Sequence, residues 1–187
     1  MEIKVVFLGD PCSGKTQLIN VCCGSKFEEI TLPTNYFYYI EKVVKINNIK
    51  YALLLCDTVG NEEFREFKKI IFKDSNFFIL VYDITKKNTF DNIYYWYNEI
   101  QDLRKDAIIG VVGTHSDYFL IQEVKTEIAK KYADSIEAKF IEVSARVNKE
   151  PFNIKLIELA KDYIEKYGNK NNENQFIKYT LLKFYKY

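Results

Sequence analysis

Short apolar runs alternate along this chain with stretches whose apolar residues recur every three or four positions. The runs Ile3–Leu8, Tyr38–Ile46, Ile49–Cys56, Phe77–Tyr82, Ile108–Gly113 and Lys139–Val143 predict six strands. Most are unbroken rather than alternating, as parallel strands covered on both faces should be. Asn47-Asn48 separates the second run from the third. That is a two-residue turn signal, and it makes this pair an antiparallel hairpin. Helical spacing predicts helices over Lys15–Cys23, Phe64–Lys73, Asp91–Arg104, Ile121–Tyr132 and Pro151–Tyr167. In the last, Phe152, Leu156, Leu159, Tyr163 and Tyr167 form one stripe, Pro151 suits the first turn and Gly168 the end. The order of elements predicts a doubly wound α/β sheet, with ligands held outside the carboxyl ends of the strands.

At 187 residues the chain is most simply one domain. Residues 1–168 carry the alternating pattern. The polar run Asn169–Asn174 reads as a linker, and Gln175–Tyr187 mixes apolar residues with Lys178, Lys183 and Lys186. That segment fits a short docked helix, a partner-binding or membrane-surface helix, or the start of a further module. The 27 basic and 26 acidic residues nearly cancel, so no global field steers the chain to a nucleic-acid polymer or to anionic lipid. No run approaches the roughly 20 apolar residues of a membrane span, and the first strand begins too early to leave room for a signal peptide. Four cysteines, at 12, 22, 23 and 56, form neither a disulfide framework nor a paired zinc-ligand pattern, so the expectation is a reduced cytoplasmic protein.

The candidate chemistry starts directly after the first strand. Gly9-Asp10-Pro11-Cys12-Ser13-Gly14-Lys15-Thr16 fits G-x-x-x-x-G-K-[ST]. A strand that runs through such a loop into a helix aims successive backbone N–H groups at one spot. The helix adds the positive end of its dipole, so the loop can cradle a polyphosphate. Lys15 would reach the β- and γ-phosphates, and the Thr16 hydroxyl would hold Mg²⁺. Gln17 follows in the first helical turn. A second element is the strand Tyr51–Cys56 ending in Asp57, whose carboxylate can serve the same metal ion. Gly60 can bring its N–H close to a γ-phosphate. Thr34 lies in the long segment between the first helix and the second strand, where its hydroxyl would complete the metal shell once a γ-phosphate draws that segment in.

Gly9–Thr16, Thr34, Asp57–Gly60, Thr114–Asp117 and Ser144-Ala145-Arg146 stand in the order and spacing of one family, and the chain resembles a small GTPase of the Ras superfamily. Tyr82-Asp83-Ile84-Thr85, Thr89-Phe90 and Trp96 resemble its Rab branch, whereas Leu32-Pro33-Thr34 and Gly113-Thr114 look more like the Rho branch. The resemblance implies an α/β G domain with a P-loop, built on a six-stranded, mostly parallel sheet with one antiparallel strand and flanked by five helices. It implies GTP or GDP as ligand with Mg²⁺ held by Thr16, Thr34 and Asp57, and catalytic positions at Lys15, Gly60 and Asn61. Asp117 would accept from guanine N1–H and N2–H₂, a pair that adenine lacks. Thr114 replaces the family's usual Asn and His115 its usual Lys. The His115 ring would stack on the base, and Phe27 would cover the base from the other side. Ser144 and Ala145 would offer backbone N–H to guanine O6, with Arg146 beside them in place of a Lys.

Other positions depart from the pattern. Asn61 stands where the family has a water-orienting Gln, one methylene short of its reach. Pro11 removes an N–H donor from the phosphate loop and stiffens it, and Cys12 is bulkier than the usual small residue. The resemblance therefore implies a molecular switch with slow hydrolysis, with effector and exchange-factor proteins meeting Gly24–Thr34 and Asp57–Lys69. The alternatives are a scaffold that holds nucleotide but scarcely hydrolyses it and, more distantly, a nucleotide kinase, which would need an arginine-rich lid and no guanine-reading element. Relatives of this kind often end in prenylated cysteines. None follows Cys56 here, so no lipid anchor is expected in this chain and membrane association would be reversible at most, on endomembranes through partners.

Overall fold

The computed structural model describes residues 1–29, 34–59 and 65–168. Six strands form one sheet in the order β2-β3-β1-β4-β5-β6, running over β1 Glu2–Leu8, β2 Tyr38–Ile46, β3 Ile49–Asp57, β4 Phe77–Asp83, β5 Ile108–Thr114 and β6 Lys139–Glu142. All neighbours are parallel except β2 and β3. Their hairpin closes at Ile46 opposite Ile49, with Asn47 at φ 49° and Asn48 at φ 65°. Both turn residues are left-handed, as a type I′ turn requires, and Asn tolerates that region better than most residues.

The strands alternate between two cores, one on each face of the sheet. Val5 and Phe7 of β1 and Phe77, Ile79 and Val81 of β4 point to one face, where Leu18 and Ile19 of α1 (Lys15–Cys22) and Leu156 and Leu159 of α6 (Glu150–Tyr167) pack on them. Val6, Leu8, Phe78, Leu80 and Tyr82 point to the other. They meet Phe72 of α2 (Arg65–Lys73), Trp96 and Ile100 of α4 (Ile93–Leu103) and Ala129 and Ala133 of α5 (Thr126–Ser135). Every residue of β4 is buried, which explains its unbroken apolar run.

Two helices differ from the expectation. The described residues hold six α-helices rather than five, because the segment before Ile93 forms its own short helix, α3 Lys87–Asp91. Thr89 fixes this turn: its hydroxyl accepts from the Asp83 N–H at 2.9 Å and donates to the Lys86 carbonyl at 2.7 Å. The helix expected over Ile121–Tyr132 instead begins at Thr126, after a 3₁₀ helix over Ser116–Ile121. Ile121 is exposed and contributes nothing to the helical stripe, whereas Val124 is buried. The N–H groups of Glu123 and Val124 both donate to the Ile84 carbonyl, so this stretch is held extended before α5 starts. The tail from Asn169 onward, read as linker and apolar/basic segment, lies outside the described residues.

Candidate functional site

The loop between β1 and α1 is packed against the carboxyl ends of the two next strands. Gly9 sits at φ 149°, and a Cβ there would lie 2.1 Å from the Val81 carbonyl oxygen. Gly14, at φ 88°, caps α1 with its backbone turned left-handed, and a Cβ there would press on the Thr114 side chain at 3.1 Å. Only glycine fits either place. No side chain caps α1 and no acidic residue occupies its first turn, so the N–H groups at this end remain for an anion.

Lys15 is buried, and its Nζ donates to the Gly9 carbonyl at 2.9 Å and the Asp10 carbonyl at 2.8 Å. An ammonium has three donors, so one remains to meet an anion. Burial pulls the Lys15 pKa down to about 8, against the opposing pull of Asp57 and Asp10. A bound polyphosphate would reverse the effect of burial.

Beside Lys15, Thr16 Oγ1 donates to Asp57 Oδ2 at 2.6 Å and lies 2.9 Å from Thr34 Oγ1. Burial raises the Asp57 pKa, opposed first by the Thr16 hydrogen bond and then by the Lys15 charge. Asp57 Oδ1 is fully buried and has no hydrogen-bond partner. A buried carboxylate oxygen left over, flanked by two hydroxyls, is an all-oxygen donor set of the kind Mg²⁺ takes when phosphates and water supply the remaining ligands. The residues present therefore fit the ion. Thr58 Oγ1 donates to the Phe7 carbonyl at 2.6 Å and anchors the start of the next segment to β1. Gly60 and Asn61, expected from the sequence as catalytic positions, lie outside the described residues.

A third group of residues comes from the ends of β4, β5 and β6. The one hydroxyl proton of Thr114 is shared between the Ser13 carbonyl at 2.7 Å and the Tyr82 carbonyl at 3.0 Å, which stitches the phosphate loop to both strands. That proton is thereby engaged, so the 2.9 Å contact with His115 is a donation from His115 Nδ1–H. The same Nδ1 lies 3.3 Å from Asp83 Oδ1. Burial works to raise the Asp83 pKa, but hydrogen bonds from His115 and from the side chain and backbone of Thr85 together hold it well below the carboxylate range. His115 itself is left-handed, at φ 61°, and lines the cavity. Asp117 follows on the 3₁₀ helix. Ser144 Oγ accepts from the Val147 N–H at 3.1 Å and shapes the turn that carries Ala145 and Arg146.

These three groups enclose one cavity of about 790 Å³. Pro11, Cys12, Lys15 and Thr16 of the phosphate loop and α1 line it, together with Gln17, Phe27, Thr114, Asp117 and Ala145. Of the other expected site residues, Ser13 and Asp57 are buried. Several wall residues escaped the sequence reading. They are Glu29, which pairs with Arg146 Nη2 at 3.1 Å, Tyr118, one residue after Asp117, and Lys86, paired with Asp83 at 3.1 Å. The structure also gives Asp10 a role beyond the loop. Its carboxylate accepts from Asn92 Nδ2 at 2.6 Å and from Trp96 Nε1 at 3.2 Å, fastening the loop to the start of α4. No local sequence signal connects residues so far apart.

A sequence model described as the Ras family matches residues 4–163. Among curated proteins, Ras-related protein Rab-21 of Bos taurus is 34% identical over 149 residues, covering 79% of this chain and 67% of the relative. Ras-related protein Rab-22A of Homo sapiens is 34% identical over 146 residues, covering 78% of this chain and 75% of the relative.

Proposed function

This chain belongs to the Ras family, and we propose from that premise that it is a Rab-like guanine-nucleotide switch, binding GTP or GDP with Mg²⁺ and hydrolysing GTP slowly in vesicle trafficking. The observation that carries the reading is that one cavity is lined both by the phosphate loop with Lys15 and by Asp117 with the Ser144–Ala145 turn. A nucleoside triphosphate needs both at once: cationic and N–H donors for its phosphates, and a carboxylate for the two donors of a guanine edge.

Lys15 and the N–H groups at the start of α1 would balance charge on the β- and γ-phosphates as it shifts during transfer. Thr16, Thr34 and Asp57 would hold Mg²⁺, which supplies further charge neutralisation. Thr34 belongs to the segment before β2 and Thr16 to α1, so their 2.9 Å contact supports a role for Thr34 in sensing what occupies the phosphate site. Effectors and exchange factors would read that occupancy through Gly24–Thr34 and Asp57–Lys69. Slow hydrolysis rests on Asn61, whose amide is one methylene short of a family Gln, and on Pro11, which adds bulk to the cavity wall. Among the described residues no helix is long and apolar enough to cross a membrane. A cytoplasmic protein that meets endomembranes through partners agrees with that.

The test begins with the nucleotide that the purified protein carries, released by denaturation and identified by chromatography. GDP or GTP is expected, and its release should accelerate when Mg²⁺ is chelated. Purification with an adenine nucleotide, or equal competition by ATP and GTP for a fluorescent guanine nucleotide, would sink the reading.

A further inference from the structure

Cys22 is the last residue of α1 and Cys23 follows as its cap. Adjacent positions on a regular helix point about 100° apart, so neighbouring thiols normally diverge. Cys23 has left the helical conformation, at φ −86° and ψ 2°, and the two Sγ atoms lie 3.9 Å apart. The backbone holds them there. The Cys23 N–H donates to the Ile19 carbonyl at 3.0 Å and the Asn20 carbonyl at 3.2 Å, and the Lys42 ammonium of β2 donates to the Cys22 carbonyl. Among the described residues no other two sulfurs are paired in this way.

The two thiols are unequal. Cys22 is buried, whereas Cys23 is partly buried at the edge of the core. The hydrogen bond from Cys22 is the main cause that draws the Cys23 pKa down to about 7; burial opposes it, and the charges of Lys42 and Lys149 add to it. The same hydrogen bond, with burial, raises Cys22. Ionisation is thus favoured at Cys23, the less buried of the two. Reactive cysteines divide this way into an attacking thiolate and a resolving neighbour.

We propose that Cys22-Cys23 is a reversible oxidation site whose substrate is hydrogen peroxide and whose product is a disulfide between the two adjacent residues. The Cys23 thiolate attacks one peroxide oxygen, the O–O bond breaks, and the departing hydroxide takes a proton from solvent to leave as water. Cys23 is then a sulfenic acid. The Cys22 sulfur attacks the sulfenic sulfur, the S–O bond breaks, and the hydroxide leaves as water with the Cys22 proton. Two thiols are oxidised to one disulfide, and one peroxide is reduced to two waters. The sulfurs must close from 3.9 Å to about 2.05 Å. Neighbouring Cα atoms are about 3.8 Å apart, below the ~4.4 Å lower end for ordinary disulfides. The bond is therefore strained and easily reduced, as labile and regulatory disulfides are.

The experiment treats the purified full chain, with the nucleotide it carries, with hydrogen peroxide in the presence of dimedone as a sulfenic-acid trap. Cleavage after Lys15 and after Lys26 isolates both cysteines on the peptide Thr16–Lys26 and leaves Cys12 on Val5–Lys15. In the unmodified sequence, Thr16–Lys26 should lose two hydrogens, trap little dimedone and return to its starting mass with dithiothreitol. Cys22→Ser should accumulate the dimedone adduct on Cys23, and Cys23→Ser should give neither adduct nor disulfide. The proposal is overturned if Thr16–Lys26 stays reduced while Cys12 oxidises, if the two variants trap dimedone equally, or if Cys23 pairs with a different cysteine or a second chain. The unmodified chain decides the first and last of these, so the outcome does not depend on how well either variant folds.

Discussion

Replacing Thr114 by Val removes a hydroxyl and almost nothing else. The side chain is 3% exposed, and its Oγ1 is shared among the Ser13 carbonyl at 2.7 Å, the Tyr82 carbonyl at 3.0 Å and His115 Nδ1 at 2.9 Å. His115 keeps its contact with Asp83 in the variant, so its loss is small. The Ser13 carbonyl loses its shortest donor, and a methyl takes the donor's place. A buried acceptor stripped of its partner costs about 1–3 kcal/mol, and a lost hydrogen bond of ordinary strength about 1 kcal/mol more for the Tyr82 carbonyl. The expected destabilisation is therefore about 2–4 kcal/mol, a factor of roughly 30 to 700 in the folding equilibrium at about 1.4 kcal/mol per decade. Thr114→Ser keeps the hydroxyl and loses only a methyl, so it should cost about 1 kcal/mol. Urea unfolding followed by circular dichroism, at one fixed concentration of GDP and Mg²⁺, measures both. The nucleotide must be held constant because any loss of affinity adds to the apparent loss of stability. If Thr114→Val lies within about 0.5 kcal/mol of the unmodified protein, or is no worse than Thr114→Ser, the hydroxyl does not stitch the loop to the sheet.

Asp117→Asn should weaken GTP binding by several kcal/mol, the cost of losing a charge-assisted bidentate pair, and should improve binding of xanthine nucleotides; competition titration checks both, and unchanged preference would refute the assignment. Asn61→Gln should speed single-turnover GTP hydrolysis by roughly 10- to 100-fold, since a misheld water costs about 1.4–2.7 kcal/mol; an unchanged rate with intact GTP affinity would show that another residue holds the water. Asp83 has its folded pKa depressed below the unfolded value, so the stability it contributes is present above about pH 4 and is lost as pH falls towards the folded pKa. Asp83→Asn should accordingly be less stable than the unmodified protein at pH 7, with a gap that narrows as pH drops below about 4; a gap that widens in acid would reverse the sign of the argument.

The strands were legible because burial on both faces leaves an unbroken apolar run, as in Phe77–Tyr82. The hairpin was legible because Asn47-Asn48 is a local signal for a local conformation. The phosphate loop could be read for a similar reason, since the two glycines it needs sit at fixed offsets from Lys15. Contacts across the chain could not be read. Asp10 meets Asn92 and Trp96 only because α4 packs on the face of the sheet beside the loop, and no periodicity encodes that meeting. The sequence reading starts α5 too early because Ile121 has the right chemistry for a helical stripe but sits exposed on a 3₁₀ helix, while the Glu123 and Val124 N–H groups are held on the distant Ile84 carbonyl, a contact that no local pattern encodes. Wall residues such as Glu29 and Tyr118 come from no motif and are recruited by the position of Arg146.

The link between Asp10 and Trp96 gives this protein a built-in optical probe. Trp96 is the only tryptophan in the chain, its indole is almost wholly buried, and its N–H donates to the carboxylate of a loop residue whose carbonyl also receives Lys15. Excitation at the red edge, where tyrosine does not absorb, therefore samples a single site. Any event that draws Lys15 away from the Asp10 carbonyl and towards a phosphate shifts the acceptor on which the indole rests. Its emission would follow the filling and emptying of the cavity in real time, with no label attached and no side chain replaced.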